Sequence, residues 1–267
     1  LVPLRHAAWG ANQHNAFICG YGFGTAFTQP CMYHAMDNLG IAQYLSRLGL
    51  LLGDTDALDA GKRAWLDDAA WQPLRRYVED CLVVRDPFEL FVAQNLVLDG
   101  LLYPLVYERI VDAHLSSRGG SAVAMLCQFM NDWFDETRKW VDAVLKVAAA
   151  ESAPNREVLA AWTRDWSGRA ASALLPVVEL ALGPEADAAV AEYVAALSAR
   201  IDPETDTGLD YYPLPKPGER FPISDPTLAP RMSPRPEDDA DFLKAIFEGI
   251  AGIEALAYQR LESLGGP

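Results

Sequence analysis

Apolar residues recur at three- and four-residue intervals over most of the first two hundred positions. Nowhere do they alternate with a period of two for long enough to build a sheet. From Pro30 onward, Met32, Met36, Leu39, Gln43, Leu45 and Leu48 mark a helix that ends near Gly53. Asp67-Asp68-Ala69-Ala70-Trp71-Gln72-Pro73 predicts the start of another, because proline is tolerated in a first turn. Leu74, Val78, Cys81, Leu82 and Arg85 continue that helix, and Asp86-Pro87 stops it, since the residue before proline is pushed out of the α region. A long helix follows over 88–116, with Gly100 and Pro104 as points where it can bend, and then a turn over 117–120. The next helix covers 121–150, with a stripe of Leu126, Phe129, Met130, Trp133, Thr137, Trp140, Val141, Val144 and Ala148. Pro154-Asn155 opens one more, carrying Leu159, Trp162, Trp166 and Ala170. The expected fold is all-α, a bundle of long helices. Residues 1–28 are rich in glycine and aromatics, as in Gly20-Tyr21-Gly22-Phe23-Gly24, and are expected to wrap over a surface without helical period.

The pattern changes near residue 200. Residues 202–267 hold ten of the chain's 18 prolines, nine of them between Pro203 and Pro236. Proline removes backbone donors and fixes φ, so such a segment orders only against something else. Pro236-Glu237-Asp238-Asp239 then opens a C-terminal helix, its acids at the positive end of the helix dipole. Phe242, Ile246, Ile250, Ile253 and Leu256 form its apolar face.

With 267 residues and half of them apolar, the chain can bury a sizeable core. A net charge of −15 without a basic stripe excludes the usual nucleic-acid binder and disfavours anionic membrane surfaces. The apolar run at 90–106 contains Gln94, Asn95, Asp99 and Pro104, which reads as too short and too polar for a membrane span. It is expected to be a helix buried on nearly every side. Cys19, Cys31, Cys81 and Cys127 are scattered, as reduced thiols in a cytoplasmic protein would be. The first residue is Leu1 rather than Met, so a natural N-terminal stretch is expected to be missing.

Bundles of long helices invite a test for a carboxylate-bridged di-iron centre, which needs two Glu-x-x-His pairs on facing helices plus further carboxylates. The residue three before each histidine is Pro3 for His6, Ala11 for His14, Cys31 for His34 and Val111 for His114. None is acidic, so this chain is not expected to build that centre alone. Glu108 and His114 share a helix but lie six residues apart, about a third of a turn out of line, too far for joint metal binding. His34 and Asp37 are i, i+3 neighbours that can share a hydrogen bond, more simply a structural pair than a site. No GxSxG, HExxH or phosphate loop is present. Arg75, Arg76, Glu79 and Asp80 read first as a solvated face, with pairing at a subunit boundary as the alternative. No catalytic, cofactor-binding or metal-binding residue is expected in this chain.

Trp71-Gln72-Pro73-Leu74-Arg75-Arg76-Tyr77-Val78-Glu79-Asp80 resembles the β subunits of bacterial multicomponent di-iron monooxygenase hydroxylases, the toluene, phenol, alkene and propane type. The resemblance continues through Asp86, Phe91-Val92-Ala93-Gln94-Asn95-Leu96-Val97-Leu98, Asn131-Asp132, Trp140-Val141, Asn155 and Trp162. Upstream, Tyr33, Met36-Asp37 and Ala42-Gln43 also fit, so that it spans about 5–195. It implies a ferritin-like helical domain over 1–195 without metal ligands. It further implies a structural subunit in an (αβγ)2 hydroxylase, with α and γ subunits as partners. By the resemblance, the α subunit holds the di-iron centre and inserts oxygen into a hydrocarbon. A reductase supplies electrons from NADH, and an effector protein regulates the assembly.

Residues 196–267 resemble something else. Thr207-Gly208-Leu209-Asp210-Tyr211-Tyr212-Pro213-Leu214, Gly218-Glu219-Arg220-Phe221-Pro222, Asp225-Pro226 with Leu228-Ala229-Pro230-Arg231, and Glu248-Gly249-Ile250-Ala251 are similar to FGGY carbohydrate kinases of the ribulokinase-like branch. The catalytic aspartate and the glycine-rich ATP loops of such kinases are not in the chain, so this resemblance implies a fragment and no kinase activity. A helical adaptor without an enzymatic partner is the third alternative.

Overall fold

The computed structural model describes residues 1–200 (199 and 200 by backbone alone), Tyr212, 222–223, 225–236 and scattered positions between 245 and 263. The chain divides into two compact units. One comprises Leu1–Arg138 with Leu159–Ile201, the other Lys139–Val158 with Asp202–Pro267.

Seven helices account for the described N-terminal part: α1 (Leu4–Tyr21), α2 (Thr25–Asp67), α3 (Gln72–Cys81), α4 (Pro87–Arg118), α5 (Ser121–Glu151), α6 (Ala153–Leu182) and α7 (Ala186–Arg200). Helix α1 overturns the expectation of an irregular N-terminal wrap. Its buried face is Leu4, Ala7, Ala8, Gly10, Ala11, His14, Asn15 and Ile18. The helical period is there, but small and polar residues carry it, so a scan for large apolar side chains passes over it. Small residues are what the site requires: a Cβ on Gly10 would lie 2.3 Å from Val78 Cγ1 on α3.

Helix α2 breaks where the sequence stops its first helix, with Gly53 and Asp54 in non-helical conformation. Helical conformation then resumes up to Asp67. Its core face is rotated from the expected stripe: Cys31, His34, Ala35, Asn38, Ile41, Leu45 and Leu48 are buried, whereas Met32 and Met36 are exposed. Leu45 and Leu48 of the expected stripe are inward, but in the first turns the methionines point outward and the inward positions, Cys31, His34, Ala35 and Asn38, are small or polar. Helix α5 shows a similar offset, with Ala124, Cys127, Met130 and Phe134 inward and Leu126 outward.

Helix α4 starts as expected. Pro87 occupies the first turn, and the Asp86 carboxylate accepts from the N–H groups of Phe88 (2.8 Å) and Glu89 (3.3 Å). It ends at Gly119, whose φ of 91° is left-handed. Two stretches of α4, Val92–Leu98 and Pro104–Leu115, widen to π-helical hydrogen bonding. Pro104 begins the second, having no N–H to give to the preceding turn. By length and composition this 32-residue helix would pass for a membrane span, which corrects the expectation that the run is too short. Its most apolar window is 94% buried within the protein, as in a core helix.

Of the Pro-rich tail, Tyr212 and Arg231 exchange backbone hydrogen bonds of 2.7 and 3.0 Å as an isolated antiparallel bridge, and no strand occurs among the described residues. Of the expected C-terminal apolar face, Ile246 and Ile253 are half-buried and Leu256 is exposed; Phe242 and Ile250 lie outside the described residues. Most of the carbohydrate-kinase-like residues lie outside them as well.

Gly10→Ala should destabilise the chain by about 1–3 kcal/mol through overpacking against a stiff β-branched neighbour. Adding Val78→Ala should recover part of that loss in urea unfolding. Simple additivity of the two changes would contradict this packing.

Candidate functional site

Among the described residues, the buried polar and charged groups centre on α1, α2 and α4. His14 Nδ1 lies 2.7 Å from Gln94 Oε1, and its Nε2 lies 3.1 Å from the Val78 carbonyl on α3. Gln94 Nε2 donates to Asp99 Oδ1 (2.8 Å), and Asp99 Oδ2 is 2.9 Å from His34 Nε2. Asn38 Nδ2 donates to the His34 carbonyl (3.0 Å) and lies 3.2 Å from its ring. Beside this chain of contacts, Asn15 and Asn95 donate to each other's amide oxygens at 3.0 and 2.8 Å. Tyr77 closes the α3 side by donating to the Ala93 carbonyl (2.8 Å).

His34 therefore turns to Asp99, sixty-five residues away, and not to its i, i+3 neighbour Asp37. His34 sits on the face of α2 that meets α4, while Asp37 is half-buried at its edge. Burial lowers the His14 pKa, opposed by its contacts to Gln94 and Val78 and by the Asp99 carboxylate. Burial and the neighbouring Glu136 push Asp37 up, against His34. Burial also pushes the Cys31 and Cys81 thiols up to about 12, which leaves them poor nucleophiles. Among the described contacts none joins Glu108 to His114; burial raises the Glu108 pKa, helped by Asp135 and Asp112 and opposed by Arg138.

The residues present do not fit a di-iron centre. Such a centre needs several carboxylates converging with two histidines. Among the described residues one carboxylate, Asp99, lies buried, and each of its oxygens already has a partner. Among the described residues no group of three His, Cys, Asp or Glu converges to hold a metal.

The outer side of α2 and α5 is apolar instead. Tyr33 (71% exposed), Met36 (57%) and Met125 (79%) stand out of the surface, with Leu126 and Trp133 beside Met125 on α5. Tyr44 meets Phe129 edge-on at 4.8 Å, and Phe129 meets Trp133 at 5.0 Å, so the two helices form one face. Gly40, in the middle of α2, has nothing within 4 Å of where a Cβ would stand. Arg75 and Glu79 pair at 2.7 Å, and Asp80 pairs with Arg169 of α6 at 2.6 Å. All four are at least partly solvated, so the sequence block around Trp71 is half solvated face and half inter-helix contact. Trp71 is buried against Trp65, and Trp140 is half-buried.

Residues 1–152 match the profile of the methane/phenol/alkene hydroxylase family. The chain belongs to that family. Within it, the oxygenase component DmpL of phenol 2-monooxygenase from Pseudomonas sp. (strain CF600) is 54% identical over 203 residues, covering 75% of this chain and 60% of that protein. The solved structure of xenon-pressurized phenol hydroxylase from Pseudomonas sp. OX1 superposes with a TM-score of 0.71 at 46% identity, over 75% of this chain and 60% of that one. Toluene 4-monooxygenase, solved with toluene in its resting active site, shares the fold at 20% identity, with a TM-score of 0.59 over 74% of this chain and 61% of that one. The chain thus spans less than two thirds of these hydroxylase relatives. The ferritin-like helical fold is established by these likenesses, and they lend no support to a carbohydrate-kinase tail.

Two outcomes test the buried network. Asn95→Leu should cost about 1–3 kcal/mol by stranding the Asn15 amide, and Asn15→Leu together with Asn95→Leu should recover much of it. Equal loss in the double variant would contradict the pairing. The histidines His6 and His14 both have folded-state pKa values below their ordinary 6.5. The unfolded chain therefore binds protons there that the folded chain resists, and stability falls as pH drops below about 6.5. Tm measured from pH 8 to 5.5 should decline, less steeply for His14→Gln, and a flat profile would contradict it.

Proposed function

We propose that this chain is a non-catalytic scaffolding subunit, of the β type, in a multicomponent phenol-type monooxygenase hydroxylase. The observation that carries the reading is the state of the bundle's centre. Both ring nitrogens of His14, Nε2 of His34, Gln94 and both oxygens of Asp99 are committed to one another and to Val78, leaving Nδ1 of His34 as the one imidazole nitrogen here without a partner, so most of the polar groups of the core hold helices together. The broad apolar face on α2 and α5, with an uncrowded Gly40 in its midst, supports burial against another subunit. On this reading the di-iron centre and the hydrocarbon pocket belong to an α-type partner. The assembly is an (αβγ)2 hydroxylase served by an NADH-linked reductase and an effector protein in the cytoplasm, without nucleic acid or membrane partners. Residues 1–195 form the subunit's ferritin-like domain, and 196–267 a separate appendage. The chain alone binds no stoichiometric iron and hydroxylates nothing.

Co-expression with an oxygenase component that carries two Glu-x-x-His pairs tests this. A stable complex is expected, and Met36→Asp with Trp133→Asp should weaken it by at least tenfold in size-exclusion and light-scattering titrations. Hydroxylase activity of the isolated chain, or failure to associate with that component, would contradict the proposal.

A further inference from the structure

A groove of about 1430 Å³ runs between α3 and the middle of α6, on a different set of residues from the apolar face of α2 and α5. We propose that it seats a helix of a partner subunit that presents carboxylates along its flanks. The inference rests on the reading of this chain as a hydroxylase subunit and assigns part of its docking chemistry.

Four arginines line the groove, Arg75 and Arg76 from α3 and Arg164 and Arg169 from α6, against three carboxylates. This is a local positive excess in a chain of net charge −15. Two of the arginines are already engaged. Arg75 pairs with Glu79, and Arg169 pairs with Asp80 while lying 3.9 Å over the Trp166 ring. Those pairs consume Glu79 and Asp80, and Arg169 also reaches Asp165 at 3.9 Å. Arg76 and Arg164, one on each wall, are exposed and enter none of the described ion pairs.

The α6 wall supplies the second observation. Beside its arginines it is lined by small residues, Ala161, Gly168, Ser172 and Ala173. Gly168 lies inside α6, where glycine costs about 1 kcal/mol relative to alanine. Nothing among the described residues asks for it, since a Cβ there would meet none of their atoms within 4 Å. A glycine unneeded by its own chain is explained when another backbone approaches it closely.

The volume is large enough for a helix. A helix about 10 Å across with a 5.4 Å pitch fills roughly 400 Å³ per turn, so the groove holds roughly three turns. A second copy seated symmetrically would set arginines against arginines, so the chemistry favours a different, acidic partner.

The test uses the complex of the full chain with the oxygenase component that carries the Glu-x-x-His pairs. Arg76→Glu with Arg164→Glu should raise the dissociation constant about tenfold or more and flatten its dependence on salt. Gly168→Leu, which changes no charge and points into open space, should weaken association to a similar extent at every salt concentration. Arg118→Glu, a reversal outside the groove, should leave it unchanged. Normal assembly by both groove variants would overturn the groove assignment while leaving the scaffold reading intact. Failure of the unaltered chain to assemble would overturn both. Loss of self-association in place of partner association would overturn the assignment to an acidic partner.

Discussion

Helix α4 is the element the first unit cannot do without, and the polar residues in its middle set the terms for everything around it. Gln94, Asn95 and Asp99 are buried in a run that is otherwise nearly all apolar. A buried amide or carboxylate without partners costs several times what a typical hydrogen bond contributes. Each neighbour therefore has to bring a matching group to a fixed height. Helix α1 brings His14 and Asn15 to Gln94 and Asn95, α2 brings His34 to Asp99, and α3 offers the Val78 carbonyl and the Tyr77 hydroxyl. Hydrophobic burial drives these helices together without specifying register. The network specifies it, since a slip of one residue would strand several groups at once.

That same commitment shapes function. A ferritin-like bundle offers its centre as a place for metal ligands. In this chain amide and imidazole contacts occupy most of the centre, and Asp99, the one buried carboxylate among the described residues, has a partner on each oxygen. On the proposed reading, what remains outward serves recognition in two parts of different chemistry. One is apolar and aromatic on α2 and α5, and the other is cationic between α3 and α6. Interfaces that rely on more than one kind of contact gain discrimination between partners as well as affinity.

Much of this was legible in the residues. The Asp86-Pro87 start of α4, the turn at Gly119, the break at Gly53 and the long α5 and α6 all follow from local rules about caps, proline and glycine. The failures share one cause. The inward face of α1 between Leu4 and Ile18, and that of α2 before Ile41, are built from Ala, Gly, Cys, His and Asn, and the eye for large apolar side chains selects the outward Met32 and Met36 instead. A signal was available: Gln94-Asn95 and Asp99 inside a buried run demand partners, and His14-Asn15 is the matching pair of imidazole and amide. The pairing of His34 with Asp99 over Asp37 was not legible, because it depends on which face of α2 meets α4. The π-helical widening of α4 has only Pro104 as its sequence cue.

The central claim is that this chain's core is structural and that the metal chemistry of the assembly lies elsewhere. Anomalous diffraction at the iron edge, from crystals of the complex between this chain and its Glu-x-x-His-bearing partner, tests it most directly. Paired iron peaks are expected within the partner and none within this chain. An iron peak among His14, His34 and Asp99 would contradict it.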